Sequence, residues 1–282
     1  MRIFDTHIHF PAGFFSGNGL DTNTCFRSLD ALADQCSKLN IEKACLIGGP
    51  GMLNDWVLKA IHKFPDLFVG LAYLNVDEEK AEAVSRYREQ GFKGLKFILP
   101  HKNYDDPSYY GIYAQAEAEG MISLFHTGII GGSFDFLEMS GQPDDKIISK
   151  CRKSEQAIKT FKTSSLFMQP LTLDTISMQY PELKIIGAHM GYGLYDTACA
   201  VARWRRNVWF DISGGDVVRR HILKGAYIKR EINVGKLTFG TDSSLKEMER
   251  EVHGWLTAFK DIGLSPEETD AILYENASHI FK

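Results

Sequence analysis

Eight short apolar runs rich in β-branched and aromatic residues recur along the chain: Arg2 to His7, Lys43 to Gly48, Leu67 to Leu74, Gly94 to Ile98, Met121 to His126, Leu183 to His189, Val208 to Ile212 and Leu237 to Thr241. Between them lie stretches with helical spacing. Leu29, Leu32, Cys36 and Leu39 form one such face, Val57, Ile61 and Phe64 another, and Met248, Val252, Leu256 and Phe259 the last before Gly263. Strands separated by helices cannot pair as tight hairpins. Each crosses over and runs parallel to the one before, and eight parallel strands close on themselves. The expected architecture is therefore an α/β fold, a (β/α)8 TIM barrel, formed by residues 1–282 as a single domain. Ser265-Pro266-Glu267-Glu268 combines a capping Ser, Pro at the first helical position and Glu three residues after the cap, which marks one extra C-terminal helix.

Two connections are too long for ordinary strand-to-helix loops: Pro11 to Arg27 after the first strand, and an insertion from Gly128 to about Gln169 after the fifth. Both leave C-terminal strand ends, the face on which such barrels carry their chemistry, so they are expected to form a rim around a substrate. A surface excursion with no role is the alternative. The net charge of −4, from 32 basic and 36 acidic residues, offers no footprint for nucleic acid or for an anionic membrane surface. No apolar run approaches the length of a membrane span and no leader pattern opens the chain. The five cysteines, at 25, 36, 45, 151 and 199, lack a Cys-x-x-Cys pair and lie mostly in apolar periodic segments. Reduced thiols and a cytoplasmic location are expected.

The chemistry sits where the apolar runs end. His7 and His9 are alternate residues of an extended strand, so both project to one face roughly 6 to 7 Å apart along the backbone, within reach of one ion. A His-x-His pair alone is weak. Here Lys96 on strand four, His126 on five, His189 on six and Asp242 just after eight converge on the same C-terminal mouth. Imidazole and charged groups in such a place cost several kcal/mol in desolvation without partners, and a divalent cation satisfies most of them together.

In these residues the chain resembles the amidohydrolase superfamily of metal-dependent (β/α)8 enzymes, and more narrowly its amidohydrolase-2 branch, which includes aminocarboxymuconate-semialdehyde decarboxylase. The resembling segments are Asp5-Thr6-His7-Ile8-His9, Gly91-Phe92-Lys93-Gly94-Leu95-Lys96, Leu124-Phe125-His126-Thr127-Gly128, Ile185-Ile186-Gly187-Ala188-His189-Met190-Gly191, Phe239-Gly240-Thr241-Asp242-Ser243 and Glu275-Asn276-Ala277. The resemblance implies that His7, His9, His126 and Asp242 bind a divalent metal, usually Zn2+, as one or two ions. His189 is then either a ligand of a second metal or the acid/base residue beside a single one. Lys96 is either carboxylated and bridging two ions, or an ammonium that pairs with Asp242 or a substrate carboxylate, since an unmodified ammonium has no lone pair for a metal. Asp5 and Asn276 resemble supporting positions that orient a ligand.

Other candidates are weaker. His101, shortly after strand four, is placed to line the mouth and contact substrate. His62, His221, His253 and His279 fall in helical segments and are expected at the surface. Arg203-Trp204-Arg205-Arg206 precedes strand seven, on the stability face, and reads as a solvated surface run.

The leading functional expectation is hydrolysis of an ester, lactone or amide in a small anionic molecule, with Asp242 or His189 moving the proton. Non-oxidative decarboxylation on the same site is the alternative, and a metal-holding protein without turnover is a third reading. Basic residues in the insertion, Lys146, Lys150, Arg152, Lys153, Lys159 and Lys162, hint at an anionic ligand, and Asp144, Asp145 and Glu155 dilute the hint. The expected partner is a small-molecule substrate, with a homodimer as the assembly.

Overall fold

A computed structural model describes residues 1–11, 22–131, 148, 152, 155–156, 158–243 and 245–282, with side chains from residue 24 in the second of these stretches. Eight parallel strands follow one another around a single sheet in chain order. They are β1 (Ile3–His9), β2 (Ile41–Ile47), β3 (Phe68–Tyr73), β4 (Gly94–Phe97), β5 (Ile122–Phe125), β6 (Ile185–Gly187), β7 (Val208–Asp211) and β8 (Leu237–Thr238). The seam between β8 and β1 closes through two backbone bonds: Thr6 N–H donates to Phe239 O at 2.8 Å and Asp242 N–H to His7 O at 2.7 Å. Every strand called from the sequence is present, in the expected (β/α)8 barrel.

Helices cover the outside. They are α1 (Thr22–Lys38), α2 (Leu53–Lys63), α3 (Ala81–Glu89), α4 (Tyr110–Ala118), α5 (Thr172–Gln179), α6 (Tyr195–Trp204), α7 (Gly215–Lys224) and α8 (Met248–Asp261). In α2 the buried residues Leu53, Trp56, Val57, Ala60 and Ile61 recur at the three-and-four spacing that puts them on one stripe against the barrel. The main core lies between helices and strands. A second, smaller core fills the barrel itself with Cys45, Ile47, Leu71, Leu124 and Ile186. The extra C-terminal helix opens with the expected capping box: Ser265 Oγ accepts from Glu268 N–H at 3.2 Å and Glu268 Oε2 accepts from Ser265 N–H at 2.8 Å. Its end brings Ala277, Ile280 and Phe281 onto Phe4, closing the barrel below.

Most of the connection after β5, and the first long loop from 12 to 21, lie outside the described residues, as does Cys151. Cys25, Cys36, Cys45 and Cys199 are buried. Among the described residues no helix is long and apolar enough to cross a membrane.

Candidate active site

A β-bulge decides which residues of β1 face inward. Between Asp5 and Ile8 three residues of β1 advance against two of β2, so Phe4 joins the barrel core below while His7 and His9 point into the mouth above. Their rings lie 5.3 Å apart. Gly240 permits the closure, because a Cβ there would lie 2.7 Å from His7 Cβ.

The remaining groups arrive from separate strand ends. His189 follows β6 in a left-handed turn (φ 59°) that continues through Met190 and Gly191, and Asp242 lies beyond β8, also left-handed (φ 46°). Such conformations cost a non-glycine residue of order 1 to 3 kcal/mol and persist where neighbours hold them. Here Asp211 Oδ1 accepts the His189 N–H at 2.9 Å, and His7 O accepts the Asp242 N–H. His9 Nε2 is 3.6 Å from Asp242 Oδ1, and His7 Nε2 is 3.9 Å from the same oxygen. His189 Nδ1 lies 3.9 Å from Asp242 Oδ2, and the His126 ring sits 5.0 Å from the His189 ring.

Asp211, the last residue of β7, orders the protons of this cluster. Fully buried, it accepts from His7 Nδ1 at 2.8 Å, from Ser213 N–H at 3.0 Å and from the Ser213 hydroxyl, besides His189 N–H. A carboxylate only accepts, so His7 carries its proton on Nδ1 and presents its Nε2 lone pair to the mouth. Ser213 has one hydroxyl proton, and Asp211 takes it. The Ser213 oxygen, 2.9 Å from His189 Nδ1, must then accept, which fixes the proton of His189 on Nδ1 and leaves Nε2 as its lone-pair atom. Burial opposes the charge on Asp211, but His7, His189 and Ser213 outweigh it and hold the carboxyl below its usual range. Burial also holds His7, His9, His126 and His189 below the ordinary imidazole value, so they are neutral and able to donate lone pairs.

Two more buried groups flank the cluster. Asp5 accepts from His7 N–H at 3.1 Å and from Thr241 N–H at 3.0 Å and hydroxyl at 2.7 Å, tying β1 to the segment that carries Asp242; burial raises its carboxyl to about 7. Lys96 Nζ lies 3.4 Å from His7 Nε2, and burial lowers the ammonium to about 8.

The residues gathered at the mouth are thus His7, His9, Lys96, His126, His189 and Asp242, with Asp5 beneath. His101, four residues past the end of β4 on the C-terminal face, is exposed, and its backbone N–H donates to Asp77 Oδ2 at 2.9 Å. One expected member is elsewhere. Asn276 donates to Val234 O and Leu237 O at 2.8 and 2.7 Å, at the start of β8 and so at the opposite end of the barrel; it anchors the closing helix and orients no ligand. Asp211 and Ser213 are the residues that sequence reasoning missed. Of the four helical histidines, His62, His253 and His279 are exposed, whereas His221 is half-buried and stacks on Tyr192 with centroids 6.2 Å apart. In the basic run, Arg203, Arg205 and Arg206 pair with Glu231, Asp174 and Glu182.

The donor set suits a divalent cation. His7, His9 and Asp242 each offer one ligand atom, all within 4.8 Å of one another, and His7, His189 and Asp211 form a second such group. His126 Nε2 is buried with no hydrogen-bond partner among the described residues, a nitrogen that a cation would satisfy. Asp211 is the better carboxylate for fixing His7, and Asp242 for facing the ion.

Fold and site together define a barrel enzyme whose chemistry is built at the C-terminal strand ends around histidine and carboxylate donors. The amidohydrolase family model, Amidohydro_2, matches residues 4–282, and the chain belongs to that family, whose members are metal-dependent. No curated protein matches it. Among solved structures it is similar to a probable 2-pyrone-4,6-dicarboxylic acid hydrolase from Acinetobacter baumannii (17% identity, covering 100% of this chain and 99% of the other, TM-score 0.65). It is also similar to 5-carboxyvanillate decarboxylase from Sphingomonas paucimobilis (14%, 99% and 98%, 0.61) and to 2,6-dihydroxybenzoate decarboxylase from Rhizobium (16%, 100% and 99%, 0.62).

Proposed function

We propose that the protein is a metal-dependent hydrolase that opens an ester, lactone or amide of a small anionic molecule. The observation that carries this reading is the convergence of four neutral histidines and Asp242 on one mouth, with His126 Nε2 left unpartnered among the described residues. His7, His9, His126 and Asp242 would hold the ion, and nitrogen and carboxylate donors of this kind favour Zn2+. The bound cation supplies polarisation of the substrate carbonyl and acidification of water.

The protein's own groups handle the protons. Asp242 is the base: burial raises its carboxyl above the ordinary aspartate value while His189 and Lys96 pull it back, which makes it a better proton acceptor than an exposed aspartate. His189 is the second proton carrier. A proton arriving on its Nε2 makes an imidazolium whose Nδ1–H points at Ser213 and, through it, at the Asp211 carboxylate, which stabilises the charge. Lys96, if it keeps its ammonium, faces the same space and would steady a substrate carboxylate.

The same groups serve decarboxylation, in which His189 or Asp242 delivers a proton to the carbon that loses carbon dioxide. One experiment tests both. Metal is quantified on protein purified without chelator, and zinc- and manganese-loaded samples are screened against lactones, aryl esters and hydroxylated aromatic acids, following proton release and carbon dioxide in parallel. Proton release without carbon dioxide is the expected result, carbon dioxide release establishes the second reaction, and protein that neither carries nor takes up a divalent metal ends both.

A further inference from the structure

Asp242 and Ser243 form a ridge between two cavities of opposite character. The larger, about 640 Å3, lies between β1, α1 and the start of α8. Ile8, Phe10, Leu32 and Met248 give it apolar walls, and apart from His9 and Asp242 its only charged lining groups among the described residues are Arg27 and Lys246. The smaller, about 230 Å3, extends past His126 and His189 and is lined by Asp216, Glu247 and Glu251 with Arg250. The cation of the small cavity is already matched: Arg250 lies 3.4 Å from both Glu247 and Glu251. Among the described residues Arg27 and Lys246 form no ion pair. Ser243, on the ridge, has a buried hydroxyl with no hydrogen-bond partner among the described residues.

We propose that the larger cavity receives the non-reacting arm of the substrate, that this arm is apolar and ends in a carboxylate met by Arg27 and Lys246, and that the Ser243 hydroxyl binds the substrate where it crosses the ridge. This deepens the reading of Asp242 as the reacting centre and rests on it. Arg27 and Lys246 are exposed at the rim, so an anion meeting them gains modestly, while the acid-lined cavity on the other side repels it and sets the direction. The substrate is thereby oriented: its charged tail lies over α1, and only a small uncharged or cationic group fits beside His126. A buried hydroxyl that is left unsatisfied on the ridge costs free energy until something binds it, which favours a substrate carrying an oxygen at that point.

The test is a binding measurement by calorimetry on the full chain as purified, using three unreactive probes: 3-carbamoylbenzoate, the diamide isophthalamide, and benzamide. The diamide keeps the shape of carbamoylbenzoate and lacks its charge. Carbamoylbenzoate is expected to bind about 3- to 10-fold more tightly than the diamide, the range set by one or two exposed charge pairs. In the Arg27→Gln/Lys246→Gln double variant that gap closes while diamide and benzamide affinities stay at the wild-type value, which also shows that the variant is folded. Arg250→Gln leaves the gap in place. Ser243→Ala weakens all three probes alike. Equal affinities for carbamoylbenzoate and the diamide in the wild type, a gap that survives the double variant, a gap closed by Arg250→Gln instead, or no binding of any probe overturns the proposal. Because affinity is read without turnover, a charge-dependent gap with no activity on any substrate sinks the reaction and leaves the subsite, whereas activity without a gap does the reverse.

Discussion

An Asp211→Asn substitution exchanges one oxygen for an amide nitrogen and, with it, changes which nitrogen of His7 carries the proton. The carboxylate accepts from His7 Nδ1 through one oxygen and from His189 N–H, Ser213 N–H and the Ser213 hydroxyl through the other. An asparagine can be placed two ways. With its NH2 toward the two backbone N–H groups it sets donor against donor, leaving two buried donors unsatisfied at about 1 to 3 kcal/mol each. With its NH2 toward His7 it avoids that cost but forces His7 Nδ1 to accept, so the proton moves to Nε2, the atom that faces His9 and Asp242 and would hold the metal. The second arrangement is the cheaper one, and it removes a lone pair from the site. The expected result is a folded protein, destabilised by about 1 to 3 kcal/mol, with Zn2+ affinity lowered about 10- to 100-fold, the range seen when a partner that orients a metal-bound imidazole is lost. Competition with a chromophoric chelator gives the affinity, thermal unfolding the stability, and 15N shifts of the imidazole nitrogens the tautomer. A variant that binds zinc like the wild type with His7 still protonated on Nδ1 would refute the reasoning.

Asp242→Asn keeps size and removes the base, so kcat should fall about 10²-fold or more with the unfolding temperature nearly unchanged; turnover at the wild-type level would leave His189 as the proton carrier. Lys96→Met should raise stability at pH 7 in metal-free protein, because a buried ammonium lowered to about 8 against an ordinary 10.5 is harder to charge in the folded state. The sign follows: between pH 8 and 10.5 the unfolded chain holds the extra proton, so wild-type stability rises with pH through that window by an amount on the order of 3 kcal/mol, and the variant's does not. Denaturant titrations of both proteins at pH 7 and pH 10 measure it, and parallel curves would place Lys96 outside this account. Gly240→Ala puts a methyl 2.7 Å from His7 Cβ and 3.2 Å from Ser213 Cβ, so it should cost about 1 to 3 kcal/mol of stability and reduce bound metal at saturating zinc, read by elemental analysis.

The barrel was legible because side-chain burial follows a period, and periodicity registers burial whether or not a backbone is paired. The same property explains where the reading overshot. Leu237 to Thr241 is buried throughout, yet β8 pairs with β7 only at Leu237 and Thr238, because the chain then turns toward β1 to carry Asp242 into the mouth. Leu183 to His189 likewise continues past β6, which ends at Gly187, into the left-handed turn that aims His189. Asn276 shows a different limit: resemblance assigned it a supporting role, but position along a chain does not say at which end of the barrel a side chain will act, and its bonds to Val234 O and Leu237 O put it at the closed end.

Asp211 was hidden for the opposite reason, since it lies inside the run Val208 to Ile212 and was absorbed into a strand. The signal was present in the composition of that run: a carboxylate in the middle of apolar residues cannot be carried into a core without several donors, and so predicts that donors converge on it. Asp5, in the run Arg2 to His7, is the parallel case. Both are fully buried, and they part only by their neighbours. Asp5 meets three donors, two of them from Thr241, and burial still lifts it to about 7; Asp211 meets four, with His7 and His189 behind them, and stays charged. A charged Asp211 is what lets two imidazoles present lone pairs in fixed directions, and a raised Asp5 lets β1 and the segment after β8 lock together without adding a second full charge under the ion. The residues that make the site competent are therefore the two acids inside the strands, and the histidines that mark it in the sequence depend on them.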